Sequence, residues 1–160
     1  MKKRLTTFIW LLMAFGIQSQ AQDFESATDA VKNMGVGWNL GNTLDANGTG
    51  ISDVVQSETY WGQPVTKPEL ITMMKEAGFG AIRVPVTWYA HIDGDGNVDA
   101  AWMKRVHEVV DYVINAGLYC VLNVHHDTGA HDNAWVIADN DNYEKTKARY
   151  VNLWTQIANE

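Results

Sequence analysis

Leu118-Tyr119-Cys120-Val121-Leu122-Asn123-Val124-His125-His126-Asp127 is the stretch that decides the fold. Nearly continuous apolar, β-prone sequence ends abruptly in two imidazoles and a carboxylate. A strand with one wet face alternates apolar and polar residues, whereas a run this continuous fits a parallel strand covered on both faces. Gly117 stands just before it and stops a helical pattern over Asp99 to Ala116, where Trp102, Val106, Val109, Val110, Val113 and Ile114 recur at helical spacing. Beyond it, a polar loop leads to a second helix from about Asn142, with Tyr150, Leu153, Trp154 and Ile157 as its apolar stripe.

The same unit occurs twice more upstream. Ala81-Ile82-Arg83-Val84-Pro85-Val86 is β-rich, with an unexpected Arg and a Pro that suits the end of a strand. Before it, Thr66-Lys67-Pro68-Glu69 reads as a helix start, with Thr66 as cap, Glu69 completing a capping box and Pro68 in the first turn. Leu70, Met73, Met74 and Ala77 would form that helix's apolar face, and Gly78 its end. Val36-Gly37-Trp38-Asn39-Leu40 reads as the first strand, followed by a long loop from Gly41 to about Val65. Three strand–helix units in a row mean an α/β fold with a parallel sheet and right-handed crossovers. A doubly wound open sheet and a (β/α) barrel both begin this way. Gly35-Val36-Gly37 lacks the third glycine of a dinucleotide fingerprint and precedes a loop, and no phosphate-loop lysine motif occurs, so no nucleotide cofactor is expected.

The chain has 160 residues, 46% hydrophobic and 19% charged, which excludes a disordered tail, a collagen-like repeat and a coiled coil. Residues 1–21 read as a secretory signal peptide: Lys2, Lys3 and Arg4, an apolar run from Leu5 to Ile17, then Ser19-Gln20-Ala21 around a cut. That run is short of the about 20 residues that span a bilayer, so export is expected, with no membrane association after cleavage. Residues 22–160 are then expected to be the mature chain, part of one domain. Loss of three bases changes the formal net charge from −7 to −10. With no basic block beyond the first four residues, a nucleic-acid footprint is absent. Cys120, the one cysteine, sits in an apolar run and reads as a small buried hydrophobe.

The polar residues fall where strands end. Asn39 follows the first, Arg83 lies near the end of the second, and His125 and His126 close the third. In a (β/α) barrel the carboxyl ends of all strands converge on one face, where active sites sit. Amide, guanidinium and imidazole groups beside Trp88 and Tyr89 suit a neutral, hydroxyl-rich ligand, because sugar rings offer apolar faces to aromatics and hydroxyls to donors and acceptors. Trp61 and Trp135, on loops, are sugar-platform candidates, with packing over the rim as the other reading. Arg83 is either an active-site group or a structural ion-pair partner, and both readings call for a nearby carboxylate. Adjacent residues of a strand point to opposite sides, so at most one of His125 and His126 is expected to aim straight into the mouth. A metal site built from His125, His126, Asp127, His131 and Asp132 lacks a supporting spacing, and no metal is expected.

Three segments together resemble glycoside hydrolase family 5, the cellulase-type family: Gly37-Trp38-Asn39-Leu40-Gly41-Asn42-Thr43, Gly80-Ala81-Ile82-Arg83-Val84-Pro85-Val86-Thr87-Trp88, and Val121-Leu122-Asn123-Val124-His125-His126-Asp127. The double histidine and the first segment are most similar to the endo-β-1,4-glucanase and xyloglucanase branch. The resemblance implies the first three units of a (β/α)8 barrel and retaining hydrolysis of β-1,4-glycosidic bonds in cellulose or related β-glucans. It makes Arg83 the partner of the nucleophilic carboxylate and His125 a residue lining the subsite of the cleaved sugar. His126 and Asn39 become glucan-binding residues. Mannan or xyloglucan as substrate, and a non-catalytic glycan-binding protein, are the alternatives. The two catalytic glutamates belong to the fourth and seventh strands of such a barrel, which takes about 250 residues. They are therefore expected beyond residue 160; Asn159-Glu160 imitates the acid/base motif but continues the last helical stripe. The 160-residue chain alone is accordingly expected to leave a soluble cellulose derivative intact, and turnover by the purified chain would contradict this placement.

Overall fold

A computed structural model describes residues 24–160; the signal-peptide reading of residues 1–21 lies outside the described residues. Eight elements follow one another: α1 (Ala27–Met34), β1 (Gly37–Asn39), α2 (Val54–Thr59), α3 (Pro68–Glu76), β2 (Ala81–Val86), α4 (Ala100–Asn115), β3 (Tyr119–Val124) and α5 (Tyr143–Asn159). The strands form a parallel sheet in the order β1-β2-β3. The three strands and the helices α3, α4 and α5 lie where the sequence patterns place them. The short α1 and α2 are additions, both begun by a side-chain cap: Ser26 accepts from the Asp29 amide and Asp53 from the Gln56 amide.

The core lies between the sheet and its helices. Ile82, Val84 and Val86 are fully buried on one side of β2, clustered with Ile71 of α3, Trp102, Val106, Val109 and Val113 of α4, and Leu153 of α5. Helix α4 packs on both β2 and β3. Its start is fixed by Asp99, whose carboxylate accepts from the amides of Ala101 (2.9 Å) and Trp102 (3.0 Å). Helix α5 is fastened to the Asp93–Asn97 turn by Gln156, which donates to the Gly96 carbonyl (2.7 Å) and accepts from the Val98 amide (3.0 Å). Gly96 has φ +91°, and a Cβ there would lie 2.7 Å from the Arg149 carbonyl oxygen, so this approach requires glycine.

Three details differ from the sequence reading. Lys67, not Thr66, is the N-cap of α3, and it makes no side-chain cap bond; both backbone groups of Thr66 are engaged by Glu58 and Arg105 instead. Ile71 is the fully buried residue of α3, while Met73 is 53% exposed. Ile114 likewise points outward from α4. Cys120 is half-buried, and desolvation pushes its thiol up to about 11, so it stays protonated at neutral pH. No described helix is long and apolar enough to cross a membrane.

His91 supplies a pH signature for the fold. Its ring is buried, stacked on Trp102 at 3.9 Å, with Nε2 3.0 Å from Ser57 Oγ. Desolvation lowers its pKa to about 4. Because the folded value lies below the unfolded one, about 6.5, this contribution to stability is present above pH 6.5 and is lost as pH falls through 4. Unfolding midpoints recorded across that window should fall more steeply for the wild type than for His91→Phe, which keeps the stack and removes the proton site. Parallel curves would show that His91 is not held neutral.

Candidate active site

Strand register sets the site before side chains are considered. Asn39 pairs with Arg83, Arg83 with Val121, and Pro85 with Asn123. Partners in parallel strands face the same way and alternate by two, so Asn39, Arg83, Val121 and Asn123 share one face of the sheet. Trp38, Ile82, Val84 and Leu122 share the opposite, helix-covered face. His125 follows two residues after Asn123.

Arg83 joins the three strand ends. Its Nη1 donates to Asn39 Oδ1 at 2.7 Å, and its Nη2 lies 3.2 Å from His125 Nδ1. Asn39 can turn this way because residue 41 is glycine: a Cβ there would come within 2.7 Å of Asn39 Nδ2. Among the described residues no carboxylate is ion-paired with Arg83; an amide and an imidazole hold the guanidinium, and the carboxylate expected as its partner is one placed beyond residue 160.

The network also fixes the protonation of His125. Asn123 Nδ2 donates to the Val124 carbonyl (2.9 Å), which orients its amide, and the same nitrogen lies 3.3 Å from His125 Nδ1. With the Arg83 and Asn123 N–H groups both aimed at it, Nδ1 is an acceptor and the ring proton sits on Nε2. Burial lowers the pKa of His125, His126 and Arg83 lower it further, and Asp45 works the other way. His125 is thus a neutral imidazole with one N–H to offer.

His126 is brought to the same place. Strand pairing ends at Val124, so strict alternation no longer governs the two histidines, and their rings meet edge-on at 4.4 Å. The His126 amide donates to Thr87 Oγ1 (3.3 Å), which itself donates to the Asp45 carbonyl (2.9 Å). Trp61, 39% exposed, stands edge-on to His126 at 5.3 Å. The structure therefore gathers Asn39, Arg83, His125, His126 and Trp61. It does not gather Trp135. That indole is 9% exposed, donates from Nε1 to Asp127 Oδ1 (2.6 Å), and carries the Arg149 guanidinium over its ring at 4.4 Å. Trp135 packs beneath the rim, because its face is covered and its N–H already used.

Asp45, Asn123 and Thr87 were missed as site residues. A lone amide inside an apolar strand was a legible signal for Asn123; nothing in sequence separates Asp45 or Thr87 from other loop residues. Asp45, His125 and His126 offer ligand atoms within 4.8 Å of one another, the one grouping among the described residues able to hold an ion. The protonated Nε2 of His125 and the adjacent guanidinium both oppose a cation there. Of the residues weighed for a metal from sequence, Asp127 is buried elsewhere and His131 and Asp132 are exposed. A cavity of about 750 Å³ lies away from this site, lined by Trp38 of β1, Leu40 just after it, and Leu70 and Met73 of α3.

The family model described as "Cellulase (glycosyl hydrolase family 5)" matches residues 44–160. Endoglucanase A of Clostridium longisporum is 44% identical over 145 residues, covering 89% of this chain and 27% of that protein. A GH5-4 broad-specificity endoglucanase from an uncultured bacterium superposes with TM-score 0.81 at 65% identity, covering 86% of this chain and 38% of that one. A glycoside hydrolase family 5 enzyme of Prevotella bryantii B14, crystallised as a mutant with a xyloglucan tetradecasaccharide, gives TM-score 0.80 at 57% identity, covering 84% of this chain and 39% of that one. The chain thus spans well under half the length of each.

Asp127 holds the rim under these residues. Its two oxygens accept from the Trp88 amide (3.1 and 2.9 Å), and Oδ1 also takes the Trp135 indole N–H. Burial pushes its pKa up to about 6, against the N–H donors that favour the carboxylate. Every neighbour named here is a donor, so Asp127→Asn turns one acceptor edge into an N–H facing N–H groups. Chemical denaturation should show a loss of about 1–3 kcal/mol; an unchanged midpoint would mean that these contacts carry no net stability.

Proposed function

The chain belongs to glycoside hydrolase family 5, and from that premise we propose that the whole protein hydrolyses β-1,4-glycosidic bonds of cellulose or related β-glucans with retention of configuration. The observation that carries the reading is Arg83, held by Asn39 and His125 where three strand ends converge. A guanidinium there stabilises an ionised carboxylate. In a retaining glycosidase, one carboxylate attacks the anomeric carbon as the glycosidic bond breaks, while a second carboxyl group protonates the leaving oxygen. Water then cleaves the glycosyl-enzyme, its proton going to the second group. Both carboxyl groups are assigned to glutamates beyond residue 160, as the family resemblance implies.

The described residues supply binding and electrostatics. Arg83 keeps the nucleophile charged at working pH. Neutral His125 donates from Nε2 to a sugar hydroxyl without adding a second charge beside Arg83. Asn39 and His126 bind glucan, and exposed Trp61 offers a face to a pyranose ring. Xyloglucan joins cellulose in the substrate class because the Prevotella bryantii relative was crystallised with a xyloglucan oligosaccharide. Export through residues 1–21 is part of the same reading, since polymeric glycan must be met outside the cell.

Arg83→Ala in the full-length protein should lower turnover of a β-glucan by about a hundredfold or more, with the unfolding midpoint largely kept. Loss of folding with no separable effect on catalysis would instead favour a structural role.

A further inference from the structure

Glu58 is fully buried, although α2 is only six residues long. A buried carboxylate persists only when it is paired and hydrogen-bonded. Arg105 of α4 grips it with a two-pronged fork: Nε donates to Oε2 (2.8 Å) and Nη2 to Oε1 (3.0 Å). The same Oε1 accepts from the Thr66 amide (2.6 Å), and Arg105 Nη2 also donates to the Thr66 carbonyl (2.7 Å). Residues 58 and 66 are therefore tied to each other and to one guanidinium. Trp61 sits within the loop so closed, its ring in a T-shaped contact with His126.

Stability alone does not call for this arrangement. Buried ion pairs can often be replaced by apolar residues at little cost, whereas breaking one partner away is expensive. Apolar contacts are non-directional and would let the α2 arm slide over α4. The fork fixes one orientation. The neighbouring contacts act in the same sense: Ser57 meets His91, and Tyr60 packs on Gly48, where a Cβ would lie 2.5 Å from the ring.

We propose that Glu58 and Arg105 are a positioning pair that holds the Trp61 arm against His126 and so sets affinity for the glycan. This rests on the reading of Trp61 as a glycan platform. Neither residue touches substrate; both act through the loop between residues 58 and 66.

The test uses the full-length protein. Glu58→Gln should raise KM for a β-glucan oligosaccharide by about three- to tenfold, the range of one aromatic contact, with kcat little changed. In a Trp61→Ala background the same substitution should add nothing. Glu108→Gln, which removes the charge of the outward partner of Arg105 at 2.7 Å, should leave KM unchanged. An equal KM rise in both backgrounds, or a fall in kcat alone, overturns the proposal. If Glu58→Gln does not fold, Arg105→Lys, which keeps the charge and loses the fork, is read in the same way. Amide hydrogen exchange separates this claim from the functional reading. If the wild type hydrolyses no β-glucan, that reading fails, yet selective loss of protection over residues 59–65 in the variant still supports the positioning role. Unchanged protection there overturns it.

Discussion

The parallel register of β2 against its neighbours is the constraint on which the rest depends. Ile82, Val84 and Val86 are buried among the helices, so Arg83 must face the other way. A slip of one residue would drive the guanidinium into that apolar layer and turn three large side chains out of it, at a cost no local contact could offset. Once the helix-covered face is fixed, Asn39, Arg83 and Asn123 are delivered to the open face together. The chemistry of the site is in this sense a by-product of hydrophobic burial on the side away from it.

Burial cannot place the loops that carry the remaining groups, and each is pinned by a polar contact instead. Thr87 ties the segment after β1 to the end of β3 through Asp45 and His126. Glu58 and Arg105 hold the α2 arm. Asp127 joins the end of β2 to the loop before α5. Glu58 and Asp127 are fully buried, and Thr87 nearly so. Directional bonds in a low-dielectric setting give the loops one geometry where apolar packing would allow several.

The electrostatics are economical. The chain is acidic, yet the site presents one fixed positive charge beside imidazoles. His125 is kept neutral by burial and by the charge of Arg83 itself, so its donor capacity is available without competing for a carboxylate. In retaining glycosidases the charge that matters belongs to the catalytic carboxylates.

Much of this was legible in the residues. Strand positions followed from apolar runs, and the end of each run was marked by a group too polar to continue it. Asp99 announced the start of α4, and the segments around Asn39, Arg83 and His125 carried the family resemblance. Contacts between distant segments were not legible. Glu58 and Arg105 are 47 positions apart, and nothing local distinguishes that glutamate from a solvated one. Trp61 and Trp135 looked alike as loop indoles; only packing against α5 buried one and left the other open. Thr66 read as a cap, because its spacing to Glu69 was right, and tertiary bonds took its backbone instead. By itself the sequence determined which faces must be apolar and where strands stop, since those depend on neighbours along the chain. The tertiary structure alone decided which polar groups meet, since that depends on partners that only folding brings within reach.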